Sequence, residues 1–154
     1  MVIQEFLKTV PLFRDLDDDE LARVLMIGVV KRFPAGALIL TEGTAGGALH
    51  VIHEGQVRIS KVVPGVGEEA LSILSPGEFF GEVEFFDHSP ASAHAIAHAD
   101  CEILSLPHRE IEAMMLSRPE LAAKFLWAFA RTLAGRLRET DQKMATYLAI
   151  SRNF

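Results

Sequence analysis

Hydrophobic and polar positions change rhythm twice along this chain. In the first stretch, Leu16 is followed by the acids Asp17, Asp18, Asp19 and Glu20, and then by Leu21, Val24, Leu25 and Ile27. Acids leading into an apolar period near 3.6 mark a helix N-terminus, so residues 1–28 are expected to be helical. Between 29 and 106 the rhythm shortens. Glycine or proline recurs every few residues, from Pro34 and Gly36 to Gly81 and Pro90, around apolar runs such as Leu38–Leu40, Leu49–Ile52, Val57–Val63, Leu71–Leu74 and Ile103–Leu106. Short strands with frequent turn signals predict a sandwich or roll. From 107 to 154 a helical period returns. Leu121, Phe125, Leu126, Phe129, Leu133, Leu137, Met144 and Leu148 predict a long amphipathic helix that begins near Pro119. About 30 helical residues run roughly 45 Å, more than so small a core requires. An overhanging apolar stripe predicts a partner helix, most simply a homodimer through residues 121–148, with a separate protein partner or packing back on the roll as the alternatives.

The expected fold class is therefore mainly β with flanking helices (α+β): an antiparallel β-roll or jelly roll with short N-terminal helices and a long C-terminal helix. It forms one domain over residues 1–154, which is long enough to bury a core. With 49% apolar and 23% charged residues, the composition is that of a soluble globular chain. The net charge of −6 gives no general attraction for nucleic acid or an anionic membrane. Cys101 is the only cysteine, which rules out an internal disulfide and fits a cytoplasmic location. The start reads as no signal peptide, and no apolar run approaches the roughly 18 residues of a membrane span. Nucleophile-elbow, Walker and dinucleotide fingerprints are all missing, so no enzyme is expected. Nor does the long helix leave room for a helix-turn-helix segment of about 50–60 residues before Phe154.

The order of the glycines carries more than turn geometry. Phe33-Pro34-Ala35-Gly36, Thr41-Glu42-Gly43, Ala48 to Ile52 and Glu54-Gly55-Gln56-Val57 are followed by Leu74-Ser75-Pro76-Gly77-Glu78-Phe79-Phe80-Gly81-Glu82. Together with Val10-Pro11-Leu12-Phe13, they resemble the cyclic-nucleotide-binding domains of regulators like the catabolite activator protein. Four of the glycines, Gly36, Gly43, Gly55 and Gly77, read as strand reversals that specify the fold. The resemblance makes residues 77–93 a phosphate-binding cassette. It implies a cyclic nucleotide, cAMP or cGMP, as ligand, and no resident cofactor. By the same resemblance Gly81 lets the ligand approach a backbone whose free N–H groups cradle phosphate, and Glu82 accepts a hydrogen bond from the ribose 2′-hydroxyl. Val83 and Ser92 match positions near the phosphate, and Leu71, Ser72 and Leu74 match positions that line ribose and base.

One cassette position departs from the resemblance. An arginine follows the short helix in the family and pairs with the cyclic phosphate, whereas Ser89-Pro90-Ala91-Ser92-Ala93 places Ala91 there. No Arg or Lys occurs from Val62 to Pro107. Losing a hydrogen bond to a charged group costs about 10- to 150-fold in affinity, and phosphate without a countercharge also pays desolvation. Weak cyclic-nucleotide binding, a less charged ligand and a ligand-free interaction domain are therefore the three alternatives. In the alternation Ala93-His94-Ala95-Ile96-Ala97-His98 the alanines are expected to face inward, and His94 and His98 away from the pocket. His50 and His53 fall on opposite strand faces, and His94 and His98 are too far apart for one ion, so no metal site is expected. Arg131, Thr132, Arg136 and Arg138 lie on the long helix within reach of the pocket, but a basic helix face is ordinarily solvated.

Overall fold

The computed structural model describes residues 3–153; Met1, Val2 and Phe154, included in the expected domain, lie outside the described residues. Two short helices come first, α1 (Ile3–Leu7) and α2 (Asp18–Ile27). The acid run starts α2 as expected. The Asp17 carboxylate accepts from the Glu20 N–H at 2.8 Å, and the Glu20 carboxylate accepts from the Asp17 N–H at 2.9 Å, a reciprocal capping box. Eight strands follow: β1 (Val29–Phe33), β2 (Leu38–Leu40), β3 (Ala48–Glu54), β4 (Val57–Val63), β5 (Gly67–Leu74), β6 (Phe79–Phe80), β7 (His94–Ala97) and β8 (Cys101–Pro107). A six-residue helix, α3 (Glu82–Asp87), interrupts them. The chain then runs into α4 (His108–Ser117) and α5 (Pro119–Arg152).

The strands form two antiparallel four-stranded sheets, in the orders β1-β8-β3-β6 and β2-β7-β4-β5. The first sheet is covered on both faces, which explains why all four residues of Leu49–Ile52, His50 included, are buried. Leu49 and Val51 point to a core beneath the helices, with Phe13, Leu21, Leu104, Ile111, Leu121, Phe125 and Phe129. Ile52 points the other way, into a core between the sheets with Val57, Leu74, Phe80, Ala95, Ala97 and Ile103. This is the expected β-roll. Three strands fall outside the apolar runs read above: β1, whose Val-Val-Lys-Arg stretch lies exposed at a sheet edge, the two-residue β6, and β7. Gly55 closes the β3–β4 turn at φ 86°, and a Cβ there would meet the Asp100 carbonyl oxygen at 2.2 Å, so only glycine fits.

The long helix begins at Pro119 and continues for 34 residues. Its first half is anchored: Leu121, Phe125, Ala128 and Phe129 are buried, and the Lys124 ammonium donates to Glu20 at 2.7 Å, tying α5 to α2. Residues 137–153 are exposed throughout, including Leu137, Met144, Tyr147, Leu148 and Ile150. No described helix is long and apolar enough to cross a membrane.

Candidate functional site

A cavity of about 550 Å³ lies between the β2-β7-β4-β5 sheet, the β6–α3 segment and α5. Seven of the eight residues expected at the site line it: Leu71, Ser72, Leu74, Gly81, Glu82, Val83 and Ser92. Ala91 does not. It is buried behind the wall, its N–H donating to the Thr44 carbonyl and its own carbonyl accepting from Gly43 N–H, both at 2.8 Å. The methyl group thus stands in a backbone link between the β2–β3 loop and the cassette, and its neighbours Ser92 and Ala93 face the space.

The cassette follows from local chemistry. Phe79 and Phe80 pair with Val51 and His50 of β3, and the chain must then turn sharply into α3. Gly81 takes the left-handed conformation at φ 89°, where an added Cβ would meet the Ala48 carbonyl oxygen at 2.5 Å. A side chain there is excluded by both strain and space. On the far side, His108 holds the turn, its Nε2 lying 3.1 Å from the Gly81 carbonyl oxygen. Burial pushes the His108 pKa below the usual imidazole range.

Glu82 points from α3 into the cavity wall with its side chain 13% exposed. Burial raises its pKa above the ordinary carboxylate value, and Arg136 opposes that rise. Arg136 donates from Nη1 to Glu82 Oε1 at 2.8 Å and from Nη2 to the Phe79 carbonyl oxygen. Its guanidinium lies 4.4 Å over the Phe79 ring. Arg136 is thus a cavity residue rather than part of a solvated helix face, and Thr140 and Lys143 join it on the same wall. A sequence signal existed: Phe129, Arg136 and Lys143 are spaced by seven, so the face that buries Phe129 continues through both cations.

His94 also corrects an expectation. The alternation holds for the alanines, since Ala95 and Ala97 are buried between the sheets. Yet His94 lines the cavity, its Nδ1 accepting from the Glu42 N–H at 3.1 Å. His94 is the first residue of β7 and pairs with Ser60 of β4, beside the β2–β7 register shift between Leu38 and Leu40. His98 faces outward, within 3.0 Å of Arg58.

Among the described residues, one group brings metal-ligating atoms together: His53, Glu54 and Glu102, within 4.8 Å of one another. A β3–β8 register shift between Ile52 and Glu54 places them there. Two of the three are engaged otherwise: His53 lies 2.8 Å from Glu102, and Arg32 donates to the same carboxylate at 3.0 Å.

The chain and its fold have counterparts among known proteins. The description "Cyclic nucleotide-binding domain" matches residues 30–118, more than half of the chain. The chain belongs to the cyclic nucleotide-binding domain family. It is 36% identical over 138 residues to the cyclic AMP receptor protein of Thermus thermophilus, covering 90% of this chain and 62% of that one. It is 32% identical over 113 residues to a CRP-like cAMP-activated global transcriptional regulator of Mycobacterium tuberculosis, covering 73% of this chain and 49% of that one. The chain therefore spans about half to three fifths of the length of these relatives. A solved cyclic nucleotide-binding domain from Methylobacillus flagellatus superposes with a TM-score of 0.81 at 26% identity, covering 92% of this chain and 79% of that one. In this cyclic nucleotide-binding domain Gly81 and Glu82 line the cavity, and the Arg and Lys side chains of its lining come from α5, Arg136 and Lys143.

Proposed function

We propose that this cyclic nucleotide-binding domain is a non-enzymatic regulatory module of the cytoplasm that takes a cyclic nucleotide, cAMP or cGMP, weakly, and reports its presence through α5. The ion pair between Arg136 of α5 and Glu82 of the cassette carries the reading. A ligand hydroxyl that claims Glu82 competes with Arg136, so occupancy and the position of α5 become linked. Leu71, Ser72, Leu74, Val83 and Ser92 supply the remaining contacts. Ala91 supplies none to the phosphate, which sets the affinity about 10- to 150-fold below that of a site with a paired arginine. Calorimetric titration with cAMP and cGMP is expected to show saturable binding in the high-micromolar to millimolar range. Absence of heat at several millimolar nucleotide would sink the proposal and leave the ligand-free interaction domain.

The exposed overhang of α5 favours one partner reading. Leu137, Met144, Tyr147 and Leu148 recur at helical spacing and are exposed among the described residues. Of the stripe expected over residues 121–148, Leu121, Phe125 and Phe129 pack into the chain's own core, so a homodimer through the exposed remainder buries these residues, and sedimentation at tens of micromolar is expected to give twice the monomer mass. Met144→Glu in that stripe is expected to return the domain to monomer. A wild-type chain that sediments only as monomer contradicts the dimer and favours a separate protein partner.

A further inference from the structure

We infer that Glu84 occupies the anion position of the cavity, so that the preferred ligand is an uncharged, hydroxyl-bearing molecule of nucleoside type rather than a phosphodiester. This rests on the reading of the cavity as a nucleotide-type ligand site and specifies what that site selects.

Glu84 lies on α3, two residues after Glu82, and is only 7% exposed. It lines the main cavity, and from the other side a smaller one of about 230 Å³. Its Oε1 accepts from the Ser92 N–H at 3.2 Å. Ser92 also faces the main cavity. One backbone donor that an anion could use at this wall is therefore already held by a carboxylate of the chain itself. Gly46 permits the close approach, since a Cβ there would meet the Glu84 side chain at 3.3 Å. Glu84 takes part in none of the ion pairs among the described residues, whereas Arg136 is engaged by Glu82.

The wider charge balance points the same way. The lining carries Glu78, Glu82, Glu84 and Glu139 against Arg136 and Lys143. A phosphodiester entering beside Ser92 meets a like charge at short range in a partly desolvated wall, which costs at least about tenfold in affinity. An uncharged ligand meets no such cost. Leu71 and Leu74 offer apolar surface to a planar ring, and Glu82, Ser72 and Thr140 offer hydrogen-bonding partners to hydroxyls.

The test compares four probes, cAMP, cGMP, adenosine and guanosine, by calorimetry on the wild-type chain and on Glu84→Gln. Gln keeps the shape and an acceptor for the Ser92 N–H while removing the charge. The wild type is expected to bind the better nucleoside within about threefold of its cyclic nucleotide, or tighter. Glu84→Gln is expected to bind the cyclic nucleotide about tenfold tighter and to leave the nucleoside within about twofold. A thermal melt of the variant within a few degrees of wild type shows that the comparison is between folded proteins. If the variant melts early, Glu84→Ala and the wild-type probe ratio carry the test. A wild type that prefers the cyclic nucleotide over its nucleoside by more than tenfold overturns the inference and leaves the cavity reading standing. So does an unchanged cyclic-nucleotide affinity in Glu84→Gln. Failure of all four probes on both proteins overturns the inference together with the cavity reading.

Discussion

Replacing Phe129 by alanine is expected to destabilise the domain by about 4 kcal/mol, the upper range for truncating a buried aromatic. Phe129 is 1% exposed and stands at the junction of three elements. Its ring lies 4.9 Å from Phe79 of β6, 4.8 Å from Phe86 of α3 and 5.6 Å from Phe125 one turn earlier on α5. Tilted and edge-on aromatic contacts of this kind add to the transfer term of the ring. Truncation leaves a cavity that cannot collapse, because Phe79 is fixed by β6 pairing and Phe125 by its own helix. In a chain of this size the loss corresponds to a fall in Tm of roughly 8–16 °C. Thermal and urea denaturation measure it, and Phe129→Leu is expected to recover more than half. A loss below 1 kcal/mol would mean that α5 does not hold the cassette through this ring. The same variant is expected to weaken ligand binding, since Phe79 also carries the Arg136 guanidinium.

Acidification is expected to weaken the fold through His50. This side chain is 8% exposed in β3, lies 2.8 Å from the Ser105 hydroxyl and stacks 4.8 Å from the Phe80 ring. Burial first, and then the nearby charges of Lys31 and His108, lower its pKa to about 4. In the unfolded chain an imidazole titrates near 6.5. Between these values the unfolded state binds the proton and the folded state does not, so stability falls as pH falls. The contribution is complete above pH 6.5 and is lost progressively toward pH 4, a span of about 3 kcal/mol. Urea denaturation of wild type and His50→Gln at pH 7, 5.5 and 4 isolates this contribution from the other titrating groups. The difference between the two proteins is expected to move by about 3 kcal/mol in favour of the variant over that range. A constant difference would show that His50 accepts its proton without unfolding.

Legibility in the sequence followed the range of the interaction. The helix start after Asp17 and the glycine turn at Gly55 depend on neighbours within a few residues, so the local pattern revealed them. The start of α5 at Pro119 was legible for the same reason. The resemblance marked Gly81, and only the structure showed the reciprocal capping box. Arg136 was not assigned, because its partner Glu82 lies 54 residues away and only the fold brings them together. Nothing in the sequence pattern singles out Glu84. It became informative once its burial and its bond to Ser92 N–H were seen. Ala91 marks the opposite limit: the resemblance led to an expected cation position at this residue, and the structure put the alanine behind the wall rather than in it. His94 shows that strict alternation fails where a strand begins and its register slips.

The anchoring of α5 has a mechanical consequence. The helix is fixed at Lys124, Phe125, Phe129 and Arg136, lines the cavity as far as Lys143, and is exposed over its last turns. Sixteen residues beyond Arg136 form an arm of about 24 Å. A tilt of about 10° at the Phe129–Arg136 fulcrum therefore sweeps its far end through about 4 Å. A change too small to alter the cassette visibly becomes, at Tyr147 and Ile150, a displacement large enough to break one set of side-chain contacts and make another.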